Sequence, residues 1–109
     1  MRTSLLLLAL AACQSSDVSR SLGARCDVNA DCAQTCLGPS GDWPGGFCTV
    51  ACDTDSNCEA GALCVAEANG VCAFECVSNA DCQFLGGGYT CAQVDDKQAG
   101  AKVMVCRGG

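Results

Sequence analysis

Thirteen cysteines in 109 residues are the groups with chemistry to do here, and their spacing narrows what it can be. A thiol can ligate a soft metal, attack as a nucleophile, carry a lipid or close a disulfide. Twelve of the thirteen fall at 26, 32, 36, 48; 52, 58, 64, 72; and 76, 82, 91, 106, three sets of four. Each set opens with C-x5-C, reading CDVNADC, CDTDSNC and CVSNADC, and the sets are joined by C-x3-C. The starts at 26, 52 and 76 make this a tandem repeat. The loop before the third cysteine runs to three, five and eight residues, and the loop before the fourth to eleven, seven and fourteen. Fixed cysteines with elastic loops suit a disulfide frame, because closure entropy grows slowly with loop length.

The competing uses of cysteine fit less well. Structural zinc favours C-x2-4-C pairs, often with histidine, and this chain has no CxxC and no His. Without His there is also no Cys-His or Ser-His-Asp nucleophile. Disulfides are therefore expected, with no cofactor and no metal. Four cysteines allow three pairings per module. The crossed pairing, first with third and second with fourth, ties both halves of a module together. It would join Cys26 to Cys36, Cys32 to Cys48, Cys52 to Cys64, Cys58 to Cys72, Cys76 to Cys91 and Cys82 to Cys106. The uncrossed alternatives remain open at this point.

The thirteenth cysteine stands apart. Met1-Arg2-Thr3-Ser4 is a short basic opening, and Leu5 to Ala12 is an apolar run too short to span a bilayer. Leu10-Ala11-Ala12-Cys13 resembles a bacterial lipobox. That resemblance implies that residues 1–12 are a lipoprotein signal peptide and that Cys13 is lipidated and becomes the first mature residue. The membrane would then be a partner through the lipid anchor. By similarity with enteric lipoproteins, Gln14 after the cysteine favours the outer membrane. The polar QSSDVSRSLGAR stretch completes a 13–25 segment that reads as a flexible tether.

The elements that must hold these cysteines are small. The 50% hydrophobic fraction is dominated by 16 Ala and 13 Cys, there is no Ile, and five of the nine Leu lie in the first ten residues. So few large apolar side chains would struggle to offset chain entropy by burial alone. Gly, Asn and Asp punctuate the chain every few residues. The fold class expected is small, disulfide-rich and loop-rich with short β-strands, in three tandem four-cysteine modules at 26–51, 52–75 and 76–109. The clearest hairpin pairs Tyr89–Val94 with Lys102–Cys106 across DDKQAGA.

Other candidate sites are weaker. Every module keeps an Asx residue three and five places after its first cysteine: Asn29/Asp31, Asp55/Asn57 and Asn79/Asp81. D-x-N-x-D opens like a calcium loop, but Cys stands where the sharp turn needs Gly, so Asx turns explain the pattern more simply. Trp43-Pro44-Gly45-Gly46-Phe47, with Phe84 and Tyr89 around Gly86-Gly87-Gly88, could contact a protein or polysaccharide partner. Packing over the disulfides is the simpler role for these aromatics. Asp95-Asp96-Lys97 reads as a solvated turn. Twelve acidic residues against six basic, with no basic stripe, argue against nucleic acid.

The C-x5-C repeat, the C-x3-C joints and WPGGFCTVAC resemble the cysteine-rich lipoproteins of myxobacteria and related bacteria. More distantly, the chain is similar to the Dickkopf N-terminal and EB-type modules of animal extracellular proteins. Module three departs from the pattern, lacking the Gly two residues before its last cysteine. The bacterial family implies an envelope location and no defined activity. The function expected is a non-enzymatic, lipid-anchored envelope protein, a binding or structural element. A small protease inhibitor presenting the Lys97–Lys102 loop, or a calcium-dependent adhesion module, are the alternatives.

Overall fold

A computed structural model describes residues 18–98 and 100–109. It is a small disulfide-rich protein built from three antiparallel β-hairpins, each preceded by a C-x5-C arch that carries a 3-10 turn. The first hairpin pairs β1 (Thr35–Leu37) with β2 (Phe47–Thr49). The second pairs β3 (Ala62–Val65) with β4 (Val71–Phe74). The third pairs β5 (Tyr89–Asp95) with β6 (Lys102–Gly108), at the place where alternation and turn residues predict a hairpin. The arches contribute 3-10 turns at Asn29–Asp31, Asp55–Asn57 and Asn79–Leu85.

One register repeats in all three hairpins. The third and fourth cysteines of each module face each other directly across the strands: Cys36 with Cys48, Cys64 with Cys72, and Cys91 with Cys106. Opposed residues of an antiparallel pair project from the same face. Both sulfurs therefore point at the arch, where the first and second cysteines wait. The bonds run Cys26–Cys36 and Cys32–Cys48, Cys52–Cys64 and Cys58–Cys72, and Cys76–Cys91 and Cys82–Cys106. Each module is an arch stapled twice across one face of a hairpin, in the crossed pairing.

The Gly-x-Cys closing modules one and two has a steric reason. Gly46 has φ +82° and Gly70 φ +108°, and each lies against the carbonyl of its module's first cysteine, Cys26 or Cys52, with no room for a β-carbon. Module three has Met104 at that position and keeps the backbone bond of module two, Cys76 N–H donating to the Met104 carbonyl at 3.1 Å as Cys52 N–H does to the Gly70 carbonyl at 3.1 Å.

The modules do not hang as separate beads. The joints are continuations of the ladders: Ala51 bridges to Val71, and Glu75 bridges to Val105. The buried Thr49 donates its hydroxyl to the Cys72 carbonyl at 2.7 Å, tying module one to module two. Gly108 N–H reaches the Asp42 carbonyl at 2.8 Å, and the Arg107 guanidinium lies 3.2 Å from Asp42 and 2.6 Å from Glu67, so the last strand touches both earlier modules. Phe47, completely buried, sits at the centre of a ring cluster with Trp43 at 4.8 Å, Phe74 at 6.2 Å and Tyr89 at 6.3 Å between centroids. These rings come from all three modules, and one shared apolar core results.

Part of the segment read as a tether is folded. Leu22 is buried in the shared core, and residues 23 and 24 exchange backbone bonds with Cys48, Gly23 donating at 2.8 Å and Ala24 accepting at 2.9 Å. Arg20 turns back over the first arch, donating to the carbonyls of Ala30, Asp31 and Cys32 at 3.0, 3.1 and 3.3 Å. A 3-10 turn leaves its last carbonyls without internal partners, and this guanidinium fills that role. The boundary of the folded body therefore lies earlier than residue 26. The signal-peptide segment, Cys13 and the first part of the tether lie outside the described residues.

Candidate functional site

The arches are where chemistry-bearing residues repeat, and the repeat is accounted for residue by residue. The fifth residue of each arch folds its side chain back on the arch's own start. The Asp31 carboxylate accepts from the N–H groups of Asp27 and Val28 at 2.9 and 3.3 Å. Asn57 does the same for Asp53 and Thr54 at 2.9 and 3.1 Å, and Asp81 for Val77 and Ser78 at 2.8 and 3.1 Å. The third residue reaches further. Asn29, Asp55 and Asn79 accept from the backbone N–H of Cys36, Cys64 and Cys91 at 2.9, 2.8 and 2.9 Å. One Asx closes the arch, and the other docks it onto the hairpin beside the third cysteine. These side-chain oxygens thus have backbone donors, and the calcium-like spacing arises from turn building.

The charge on two of these brackets has a consequence in acid. The N–H groups of Asp27 and then Val28 hold the Asp31 carboxyl below its usual 3.8, with Arg20 adding a smaller pull, and those of Val77 and then Ser78 do so for Asp81. A carboxyl depressed in the folded state contributes stability above its unfolded pKa, and that contribution is lost as pH falls through the lower folded value. Asn57 makes the same bonds with an amide. Asp31→Asn combined with Asp81→Asn should therefore keep the fold and flatten the loss of thermal stability between about pH 5 and pH 2. Melts across that range check it, and an unchanged acid slope would remove the carboxylates from the explanation.

The sulfurs form a second repeated constellation. In each module the first, second and fourth cysteines place their Sγ atoms within 4.8 Å of one another, as Cys26/Cys32/Cys48, Cys52/Cys58/Cys72 and Cys76/Cys82/Cys106. All nine sulfurs are in disulfides, so each cluster is one complete bond with the end of another packed against it. A metal would need thiolates, which these bonds do not offer.

The aromatic candidates divide. Trp43, Phe47 and Tyr89 are 6%, 0% and 7% exposed, which corrects their reading as partner contacts: three modules meeting at one core need more apolar filling than any one loop supplies. Burial pushes the Tyr89 phenol up to about 12, partly opposed by Arg25, so it stays protonated. Phe84 alone of the four is well exposed, at 41%, packed edge-on against Phe74 at 5.0 Å. These two rings line a groove of about 300 Å3 between modules two and three, together with Glu59, Glu75 and Asp81. A lining of aromatic rings and carboxylates suits a cationic side chain with an apolar stem.

No family model, curated protein or solved structure matches the chain. The site therefore rests on its own geometry. The loop weighed for protease inhibition is tied down at its start: Lys97 N–H donates to the Cys64 carbonyl at 2.9 Å, and its ammonium lies 3.7 Å from Asp53. Lys102, at the other end, lies 2.6 Å from Asp95. Asp96 is buried and bridges to Val65, which corrects the reading of this turn as solvated: the hairpin end packs on module two. Sequence reasoning missed Arg20, Leu22, Thr49, Glu67 and Arg107 as contributors. The one hint was Leu22, a lone large apolar residue in a serine-rich run.

Proposed function

We propose that this chain is a non-enzymatic protein of the bacterial envelope, held at the membrane by lipid on Cys13, with the outer membrane favoured, and serving as a binding or structural element. The observation that carries this reading is the closed pairing of the other twelve cysteines. It leaves Cys13 spare for another chemistry, next to an apolar run ending in Leu10-Ala11-Ala12. Six disulfides form and persist in an oxidising compartment, which suits an exported chain. Among the described residues no helix is long and apolar enough to cross a membrane. The resemblance to myxobacterial cysteine-rich lipoproteins supports the same location. The groove at Phe74 and Phe84 supports binding over a purely structural role, with a basic protein as the partner its charge suits.

The test is the intact mass of the protein purified from its native membrane, before and after reduction and alkylation. Loss of residues 1–12, acyl mass on Cys13 and twelve thiols alkylated only after reduction are expected. An unmodified Cys13 in a chain retaining residues 1–12 would overturn the proposal.

A further inference from the structure

In each module a single cysteine escapes full burial: Cys36, Cys58 and Cys91 are half-buried, and the other nine are 0–6% exposed. The bond partners of these three, Cys26, Cys72 and Cys76, belong to the three-sulfur clusters. An incoming thiol thus meets one partly exposed cysteine per module, and the sulfur released from its bond lies within 4.8 Å of a sulfur of the module's second disulfide. We propose that each module is a thiol-exchange relay, in which attack at its one partly exposed cysteine passes inward to the neighbouring disulfide and re-pairs the module.

In module one the thiolate of a small thiol or dithiol protein attacks Cys36 Sγ. A mixed disulfide forms on Cys36, the bond to Cys26 breaks, and the electron pair leaves on Cys26. That thiolate attacks Cys48 or Cys32, forming a new bond and releasing the other as thiolate. The released sulfur then attacks the mixed disulfide at Cys36, and the incoming thiol is returned. Two disulfides enter and two leave, so no net oxidant or reductant is consumed. Module three follows the same course through Cys91 and Cys76. In module two attack at Cys58 releases Cys72, which lies beside Cys52 of the Cys52–Cys64 bond. The physical basis is proximity: the departing thiolate is already held near its next target, an intramolecular encounter that needs no diffusion.

The most direct variant is Cys36→Ser, which leaves Cys26 without its native partner. Peptide mapping under acid quench should show Cys26 bonded to Cys48 or Cys32 in most molecules, with the free thiol displaced onto Cys32 or Cys48. A free thiol remaining on Cys26 with Cys32–Cys48 intact would overturn the relay. If that variant does not fold, the wild-type chain treated with less than one equivalent of glutathione keeps the proposal testable. Glutathione adducts on Cys36, Cys58 and Cys91, together with new bonds within the clusters, are expected. Adducts on those residues with every other native bond retained would contradict it.

Discussion

Replacing Phe47 with alanine should destabilise all three modules together. Phe47 is 0% exposed and meets Trp43, Phe74 and Tyr89, rings contributed by module one, module two and module three. Truncating a fully buried phenylalanine costs about 3–5 kcal/mol, the transfer free energy of the ring plus the cavity left behind. The rings around the site belong to three modules each held by its own disulfides, which limits their collapse into that space, so the upper part of the range is expected. The distinguishing feature is cooperativity. Because one side chain serves three modules, the variant should melt in one transition at lower temperature, with Trp43 emission shifting to the red at the same midpoint as the β signal. A shift of Trp43 alone, with modules two and three melting as before, would show that the modules do not share a core.

The second large effect follows from cutting a crossed bond. Cys82 and Cys106 are both 0% exposed and close a segment with a sequence separation of 24. Releasing a loop of that length restores unfolded-state entropy equivalent to about 3.5 kcal/mol. The pair Cys82→Ala with Cys106→Ala removes the bond without leaving a buried hydroxyl unpaired. Chemical denaturation should show at least that loss, because the bond also anchors the arch from Asn79 to Leu85 against β6. The bond from Cys26 to Cys36, with a separation of only 10, should cost less to remove. Reduction of all six should unfold the chain, since its apolar content is dominated by alanine and cysteine. A fully reduced protein that kept its near-ultraviolet signal would show that packing alone suffices.

What could be read in advance was local. Cysteine spacing marks the modules because C-x5-C sets the length of an arch, and that length is a property of consecutive residues. The third hairpin was legible for the same reason, from β-branched alternation on either side of a turn. The Asx positions were legible as turn formers through their contacts with the start of the arch. Their second task, docking Asn29, Asp55 and Asn79 onto Cys36, Cys64 and Cys91, spans seven to twelve residues and leaves no mark in spacing. The shared core was hidden in the same way. Trp43 and Tyr89 sit in Pro/Gly-rich contexts that suit exposed loops, and only the folding of three hairpins against one another places them inside. Leu22 and Arg20 were absorbed into a polar run whose composition says tether, although one side chain fills the core and the other caps the first arch. The groove was equally out of reach, since Glu59, Glu75, Phe84 and Asp81 meet only once modules two and three are joined.

The measurement that most directly tests the crossed frame is a non-reducing peptide map of the purified oxidised protein. Six linked pairs are expected, Cys26 with Cys36, Cys32 with Cys48, Cys52 with Cys64, Cys58 with Cys72, Cys76 with Cys91 and Cys82 with Cys106. Bonds between first and second cysteines, bonds between modules, or free thiols among these twelve would contradict it.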